Sequence, residues 1–233
     1  MQLSDRLLAI ANEVPVGSAV ADVGCDHAYT SIYLAEHKKP KHIIAMDVRT
    51  GPLGKAKENI KEYGLENVIE TRLSDGLMAV KPGEIDTVVI SGMGGALIQK
   101  ILSEGKEALK NVEYLVLQPQ TEKAQLRRYL HTIGMRIKKE VMLIDEGKYY
   151  NIVVAKRGEE APYKEEQYEF GKLLLNEKDS VLKQFLILEQ TKINHILGNL
   201  ENYREKNMER IKELEEKQRL IGEIGRASCR ERV

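Results

Sequence analysis

Cysteine is scarce in this chain: Cys25 and Cys229 are the only two among 233 residues. Two thiols exclude a disulfide framework and a zinc cluster within one chain. Long apolar runs are missing too, because no stretch approaches the roughly 20 residues that span a bilayer. The N-terminus also lacks the apolar core of a signal peptide. We therefore expect a cytoplasmic protein with no bound metal and no membrane partner.

Net charge is absent as well, since 36 Lys and Arg residues balance 36 Asp and Glu residues. This balance excludes a polycation that binds nucleic acid through its overall charge, so any such binding must rest on local patches. The length suits one ordinary domain and a smaller second one.

The first βα unit is the most informative stretch. Ala19–Val23 predicts a buried strand, Gly24 a tight turn, and Ala28–Glu36 a helix, which is typical of folds that bind nucleotide cofactors. The dinucleotide pattern G-x-G-x-x-G is absent, and the acidic groups of Asp22 and Asp26 would repel a pyrophosphate. They favour a cationic or zwitterionic ligand such as S-adenosylmethionine. An ordinary α/β protein whose first turn needs a glycine remains the alternative.

Two further carboxylates follow predicted strands. Asp47 ends the apolar run His42–Val48, roughly 20 residues beyond the first turn, where an acidic group can bind both ribose hydroxyls. A solvated loop aspartate is the alternative. Asp75 follows the predicted strand Val68–Leu73 and could accept a hydrogen bond from an adenine amino group.

The remaining strands complete the predicted sheet. Ile85–Ile90 runs into the glycine-rich segment 91–95, and Val112–Leu117 runs into the segment 118–121. Ile137–Ile144 and Tyr149–Ala155 then alternate as a hairpin. We predict an α/β fold with a mixed seven-stranded sheet, helices on both faces, and a ligand at the carboxyl ends of the strands.

The pattern becomes helical from Pro162 onward. Tyr168–Leu175 predicts one helix, and two longer helices with a turn at Gly198–Asn199 and Asn202 predict an antiparallel, coiled-coil-like pair. Their apolar stripes comprise Leu182, Leu186, Ile193, Ile196 and Leu200 on one helix and Ile211, Leu214 and Ile221 on the other. The pair could hold a large substrate, or could be an oligomerisation or stabilising arm.

We therefore predict a catalytic domain at 1–158 and a helical domain at 159–224. Residues 225–233 carry no periodicity, and we assign them to a disordered tail or a cloning remnant.

Five motifs carry a family resemblance. They are Ala-Asp-Val-Gly-Cys-Asp-His-Ala-Tyr (21–29), Asp-Val-Arg-Thr-Gly-Pro-Leu (47–53), Arg-Leu-Ser-Asp-Gly-Leu (72–77), Ser-Gly-Met-Gly-Gly (91–95) and Leu-Gln-Pro-Gln (117–120). Together with Tyr149 and Tyr150, they make residues 1–158 resemble the bacterial tRNA (adenine-N1)-methyltransferases that modify adenine 22. Ser91 departs from the small, alanine-like residue expected there. The resemblance implies a Rossmann-like, S-adenosylmethionine-dependent enzyme with tRNA as its partner, aided by a C-terminal coiled-coil domain.

The resemblance also assigns roles to individual residues. The cofactor residues would be Asp22, Gly24, Cys25, Asp26, Asp47, Val48, Asp75, Gly76, Gly92, Met93 and Gly94. The catalytic and base-pocket candidates are Asp26, His27, Tyr29, Gln118, Pro119 and Tyr150, although His27 could equally be a structural histidine. Phosphate contacts away from the pocket would come from Lys38, Lys39, Lys41, Arg127, Arg128, Arg136, Lys138 and Lys139, or these clusters are solvated surface.

The adenine N1 atom has a lone pair and no proton, so methyl transfer to it needs no obligatory general base. Proximity to the methyl group supplies much of the rate, and a carboxylate such as Asp26 would stabilise the cationic product. The base must first be extruded from the RNA. Two alternatives remain, namely a small-molecule methyltransferase and a non-catalytic protein that binds S-adenosylmethionine. The oligomeric state is open, with a monomer favoured.

Overall fold

The computed structural model describes the backbone of residues 3–230, and the side chains of that range apart from residues 201, 202, 204 and 225–230. The chain divides into two compact units, Met1–Ala161 and Pro162–Val233. The division falls slightly after the boundary at 158 that the sequence predicts.

A single mixed sheet forms the centre of the first unit. Within the described residues its order is β3-β2-β1-β4-β5-β7-β6. The strands are β1 Ala19–Val23, β2 His42–Asp47, β3 Ile69–Leu73, β4 Thr87–Met93, β5 Tyr114–Pro119, β6 Met135–Asp145 and β7 Lys148–Arg157. The first five strands are parallel, whereas β7 is antiparallel to both β5 and β6. The predicted seven-stranded mixed sheet is confirmed.

Helices pack on the sheet, one ahead of the first strand and the others between strands. They are α1 Asp5–Glu13, α2 Tyr29–His37, α3 Thr50–Glu62, α4 Gly95–Glu104 and α5 Lys123–Thr132, with a 3₁₀ helix at Ala108–Asn111 before β5. Every residue of β1 is buried, as expected for a central parallel strand covered on both faces. The chain builds β1, β2 and β3 in one direction and then crosses back to β4 and β5. This reversal opens a crevice at the carboxyl ends of β1 and β4, where ligands bind in such folds.

The first helix begins and ends where its sequence dictates. The Ser4 hydroxyl accepts a hydrogen bond from the Leu7 amide at 3.4 Å, so it caps the helix. Ile10 and Ala11 are fully buried against the sheet. Val14 is extended because it precedes Pro15, which disfavours a helical conformation at that position.

The fourth strand is longer than predicted. It continues through Ser91 and Gly92 to Met93, and its register with β5 shifts between Ser91 and Met93. Gly92 has φ +74°, a left-handed conformation that favours glycine. The sequence predicts that the strand ends at Ile90, before the glycine-rich segment, whereas residues 91–93 of that segment belong to the strand.

The second unit is helical in the part that the structure describes. Its helices are α6 Glu165–Phe170, α7 Lys172–Asn176, α8 Ser180–Leu200 and α9 Met208–Arg230, with a 3₁₀ segment at Glu201–Lys206. The predicted single helix at 168–175 is wrong, because Gly171 has φ +98° and separates α6 from α7. The predicted turn at Gly198–Asn199 is also wrong, because both residues belong to α8 and the chain turns in the 3₁₀ segment, which contains Asn202.

The long helices α8 and α9 pack side by side. Lys217 on α9 forms an ion pair with Glu189 on α8 at 2.8 Å. Leu182, Leu186 and Ile193 are buried on α8, and Ile211, Leu214, Leu220 and Ile221 are buried on α9. Residues 225–230 continue α9, so the expected disordered tail is helical there, and residues 231–233 lie outside the described range. Among the described residues, no helix has the length and apolar character to cross a bilayer.

Candidate active site

A cavity of about 460 Å³ lies at the carboxyl edge of the sheet, and we call it the strand-end cavity. Its wall includes these residues from the predicted sets: Asp22, Gly24, Cys25, Asp26, His27, Tyr29, Asp47, Val48, Asp75, Gly76, Gly92 and Met93. Residues from the ends of β1, β2 and β4 and from the segments that follow β1, β2 and β3 therefore meet at one place. Four of them are aspartates, so the wall favours a ligand with positive charge.

The turn after β1 is fixed by its backbone. The amides of Gly24 and Cys25 both donate to the Met46 carbonyl at 2.8 Å, which ties the turn to β2. Gly24 has φ +74°, and a Cβ at this position would lie 2.3 Å from the Met93 methyl carbon. The backbone conformation therefore disfavours a side chain at position 24, and the Met93 methyl group would have to move to make room for one.

Asp22 is the most deeply buried carboxylate on the wall, with 4% of the residue exposed. Its Oδ2 accepts a hydrogen bond from the Ser31 hydroxyl at 2.6 Å. Burial raises the pKa of Asp22 from 3.8 to about 6, although the hydrogen bonds from Ser31 act in the opposite direction. The site thus holds a carboxylate whose charge the surroundings only partly compensate.

The ends of β2 and β3 form the adjacent part of the wall. Asp47 is 5% exposed, and its Oδ1 accepts the Arg49 amide hydrogen at 2.9 Å. The Ser74 amide donates to the Asp47 carbonyl at 3.0 Å, while the Ser74 hydroxyl donates to the Gly76 carbonyl at 2.9 Å. These bonds hold Asp75, which is exposed, beside Asp47.

The turn residues Asp26, His27 and Tyr29 present polar and aromatic groups at the cavity mouth. The Asp26 side chain is 64% exposed, and its Oδ1 lies 3.7 Å from His27 Nε2. The rings of His27 and Tyr29 stack with centroids 5.7 Å apart. Asp26 has φ +50°, so the turn holds its side chain in an uncommon backbone conformation.

Gln118 and Pro119 lie beneath the wall rather than on it. Gln118 is fully buried, and its Oε1 accepts two hydrogen bonds, from the Gly92 amide at 3.0 Å and from Arg6 Nη1 at 3.2 Å. Pro119 is buried at the end of β5. Gln118 thus holds Arg6 and the Gly92 backbone in place beneath the cavity. This role differs from the predicted contact with the base. Tyr150 lies beside this group, with its ring centroid 5.3 Å from the Arg6 guanidinium carbon.

Gly94 is another predicted wall residue that the structure places elsewhere. A Cβ on Gly94 would lie 2.9 Å from the Thr121 hydroxyl. A Cβ on Gly95 would lie 2.6 Å from the Glu122 carbonyl oxygen. The glycine pair therefore allows the start of α4 to pack against the segment between β5 and α5, and neither glycine is on the cavity wall.

The Cys25 thiol is on the wall, where its surroundings disfavour the thiolate form. Burial, together with the carboxylates of Asp22, Asp47 and Asp26, raises the pKa of Cys25 well above its ordinary value. Across the described residues, no group of three or more His, Cys, Asp or Glu side chains is placed to hold a metal ion.

Arg127 corrects the predicted phosphate-binding set. It is fully buried, and its Nε donates to Glu140 Oε1 at 2.7 Å, so the pair joins α5 to β6 inside the protein. A buried guanidinium cannot contact an RNA phosphate from this position. Its neighbour Arg128 is half-buried.

The other predicted cations lie away from the cavity. Lys38, Lys39 and Lys41 precede β2, and the Lys41 amide donates to the Ser18 carbonyl at the start of β1. Lys138 lies over the ring of Tyr114, the first residue of β5. Because a strand of five to six residues is about 17–20 Å long, these cations lie at the opposite edge of the sheet. Arg136 is exposed near the start of β6, and Lys139 forms an ion pair with Glu13 at 2.8 Å.

Sequence reasoning missed several wall residues, of which Arg6 is the most important. They are Arg6, Leu7, Val23, Thr30, Arg49, Ser74, Ser91, Leu97 and Ile101. Arg49, Ser74 and Ser91 stood inside the quoted motifs and could have been inferred from them. Arg6 and Leu7 belong to an amphipathic helix ahead of the first strand, where no local signal marks a site.

The geometry can be compared with known proteins. A family model described as tRNA (adenine(22)-N(1))-methyltransferase matches residues 20–223. The tRNA (adenine(22)-N(1))-methyltransferase of Bacillus subtilis (strain 168) is 34% identical over 231 residues, covering 96% of this chain and 97% of that protein.

Solved structures agree over the same length. M. capricolum TrmK, in complex with S-adenosyl-homocysteine, has a TM-score of 0.80 and 30% identity, covering 95% of this chain and 100% of that one. The Streptococcus pneumoniae protein Sp1610, in complex with S-adenosyl-L-methionine, has a TM-score of 0.86 and 35% identity, covering 96% of this chain and 99% of that one. On this evidence the chain belongs to the tRNA (adenine(22)-N(1))-methyltransferase family.

Proposed function

We propose that this protein transfers the methyl group of S-adenosylmethionine to N1 of adenine 22 in tRNA. The observation that supports this most is the strand-end cavity, where four aspartates line the crevice between β1 and β4 in a chain of this family. Because adenine 22 lies in tRNA and the cofactor is a cytosolic metabolite, the proposal places the protein in the cytoplasm.

The described residues fit S-adenosylmethionine. The buried Asp22 is suited to its ammonium group, because a cation would compensate the charge that burial disfavours. Asp47 is suited to the ribose hydroxyls, and Asp75 to the adenine amino group, at the ends of β2 and β3. Gly24 lets the backbone of the turn come close to the ligand. An acidic wall would repel a dinucleotide pyrophosphate.

The protein's part in the reaction is to position the adenine beside the methyl group, to exclude water from the two, and to stabilise the positive charge that develops on the base. When bound, S-adenosylmethionine supplies a methyl group activated by a sulfonium. Adenine N1 carries a lone pair, so no side chain has to remove a proton before transfer. Asp26, at the cavity mouth, would stabilise the positive charge that develops on the base. The stacked rings of His27 and Tyr29 would offer a flat surface to an extruded adenine.

The helical unit and the distant cations have a part in holding the tRNA. Contacts to phosphates away from the pocket position an RNA without reading its sequence. The lysines before β2 and the basic residues near the start of β6 are candidates on the first unit. The coiled-coil-like pair of α8 and α9 is the candidate on the second unit.

The test is methylation of a defined transcript. A tRNA transcript with adenine at position 22, labelled S-adenosylmethionine and the full-length protein should yield 1-methyladenosine at that position. The same transcript with guanine at position 22 is the matched control and should accept no label. Asp26→Asn should retain cofactor binding and lower kcat by about tenfold or more, because it removes a charge near the developing cation.

Each other outcome contradicts part of the proposal. Label at a different nucleotide would keep the cofactor and discard adenine 22. Firm cofactor binding without transfer to any tRNA would favour the non-catalytic alternative. Methylation of the transcript that survives deletion of residues 160–233 would remove the helical unit from substrate binding.

A further inference from the structure

Arg6 is a guanidinium on the wall of an otherwise acidic cavity. One of its nitrogens, Nη1, donates to Gln118 Oε1 at 3.2 Å, and its guanidinium carbon lies 5.3 Å from the Tyr150 ring centroid. Within residues 3–230 its guanidinium forms no ion pair with a carboxylate, whereas the other arginine on the wall, Arg49, lies 3.6 Å from Asp47. A guanidinium has five donors in a planar fork, so most donors of Arg6 are free for a ligand.

The position of Arg6 is held from three sides. The backbone amide of Arg6 donates to the Asp145 carboxylate at 3.3 Å, which attaches the start of α1 to the end of β6. Gln118 is fixed in turn by the Gly92 amide, so its oxygen faces Arg6. Tyr150 supports the guanidinium from β7. A cation held in this way is preorganised, and such a cation loses little side-chain entropy when it binds an anion.

The strand order indicates which ligand Arg6 meets. Ribose and adenine sites at the ends of β2 and β3 extend the cofactor toward that side of β1. Arg6 contacts residues of β5 and β7, which lie on the other side of β4. Neighbouring strands are about 4.8 Å apart, so β2 and β5 are separated by about 14 Å. Arg6 therefore lies on the side of the cavity that the proposed cofactor sites leave open for the target nucleotide.

We infer that Arg6 binds a phosphate that flanks the target nucleotide and so positions the extruded adenine for methyl transfer. The inference rests on the proposed function. A direct contact with the base is disfavoured, because the methylated base is cationic and would be repelled by the guanidinium. A phosphate is anionic throughout the reaction, and it matches the planar fork of arginine in a bidentate geometry.

The first test compares Arg6→Gln, Arg6→Lys and the wild type in tRNA binding and methylation. Arg6→Gln should raise the tRNA Kd about tenfold and reduce the slope of log K against log salt by about one. Arg6→Lys should restore the salt slope but only part of the affinity, because lysine keeps the charge and lacks the fork. Lys110→Gln is the matched control, since Lys110 is exposed and paired with Glu107 before β5.

The second test identifies the anion. A synthetic tRNA with a neutral methylphosphonate at the phosphate on one side of nucleotide 22 removes the partner itself. When the neutral group replaces the phosphate that Arg6 binds, Arg6→Gln should have no further effect on the KM for tRNA. When it replaces another phosphate, the effect of Arg6→Gln on KM should persist. A structural role for Arg6 would not depend on which phosphate is neutral.

Three outcomes would overturn the inference. One is a weaker affinity for S-adenosylmethionine in Arg6→Gln with an unchanged tRNA salt slope, which would assign Arg6 to the cofactor carboxylate. Another is an unchanged Kd for both ligands in a folded Arg6→Gln protein, which would leave Arg6 with a packing role only. The third is an effect of Arg6→Gln on KM that persists with a neutral phosphate on either side of nucleotide 22. Wild-type protein that makes no 1-methyladenosine would contradict the proposed function instead, and this is measured separately from the Arg6 comparison.

Discussion

Asp22→Asn should make the ligand-free protein more stable and its complex with the cofactor weaker. Asp22 is 4% exposed, and burial raises its pKa from 3.8 to about 6. The folded protein therefore holds the Asp22 proton more tightly than the unfolded chain does. Ionisation of Asp22 therefore lowers the unfolding free energy as the pH rises from about 4 to about 6, and the whole of this destabilisation is present at pH 7.

The size of this cost follows from the pKa shift. A shift of about two pKa units corresponds to about 3 kcal/mol of unfolding free energy, because each unit is about 1.4 kcal/mol. An asparagine keeps an oxygen that accepts the Ser31 hydroxyl, but burying its amide costs about 1 kcal/mol. We expect Asp22→Asn to gain about 2 kcal/mol at pH 7, or about 4–8 °C in Tm for a unit of this size.

The chain has no tryptophan, so far-UV circular dichroism is the suitable probe of unfolding. Thermal and urea unfolding should be recorded between pH 4 and pH 8 without ligand. The advantage of Asp22→Asn should disappear below about pH 4, where the wild-type carboxyl is protonated too. Asp75→Asn is the matched control, because Asp75 is an exposed carboxylate of the same cavity and its neutralisation should leave stability unchanged.

Adding S-adenosylmethionine should reverse the order of stability, since only the wild type keeps the carboxylate for its ammonium group. A variant that is less stable than the wild type at pH 7 would refute this reasoning. So would an advantage that does not depend on pH.

Three other substitutions or reactions test separate parts of the structure. Gly95→Ala should lower the unfolding free energy by about 1–3 kcal/mol, because the new Cβ would lie 2.6 Å from the Glu122 carbonyl oxygen. Urea unfolding measures this change. An unchanged unfolding free energy would show that α4 can shift to accommodate the methyl group. Arg127→Met should lower the unfolding free energy by about 3–5 kcal/mol, because it removes the guanidinium that pairs with the buried Glu140 carboxylate. The tRNA Kd of the folded protein should stay the same. A weaker tRNA complex without a loss of stability would instead assign Arg127 to the RNA-binding surface. Cys25 should react with iodoacetamide about a hundredfold more slowly in the folded protein than in urea, because its raised pKa keeps the thiol protonated. Mass spectrometry of the Cys25 peptide measures the extent of labelling. Rapid labelling of the folded protein would contradict this prediction.

The cofactor side of the cavity could be predicted from the sequence because its signals are local. Asp22 and Asp47 lie in the last two residues of the buried strands β1 and β2, and Asp75 follows the parallel strand β3. The carboxyl ends of parallel strands meet at one edge of a sheet. Three strand ends were therefore enough to predict that these carboxylates come together. Their individual roles stay predictions.

Arg127 was misassigned because adjacent charges were interpreted as a surface patch. Its position was already informative, since Ala124, Arg127 and Leu130 follow each other at intervals of three and all face the core. The buried partner was harder to predict. A shift of register between Ile137 and Lys139 changes the alternation of β6 and turns Glu140 inward. No pattern in the sequence announces such a bulge.

The two sides of the cavity also differ in how far apart along the chain their residues are. The carboxylates for the cofactor come from one continuous segment, 22–75, whereas the Arg6 amide meets Asp145 across 139 residues of sequence. Contacts between segments far apart in sequence tend to form late in folding, because the loop-closure entropy of the intervening chain must first be overcome. During synthesis, the β6–β7 hairpin must leave the ribosome before α1 can attach to it. We therefore expect the cofactor edge of the sheet to form before the substrate edge does when the chain is synthesised.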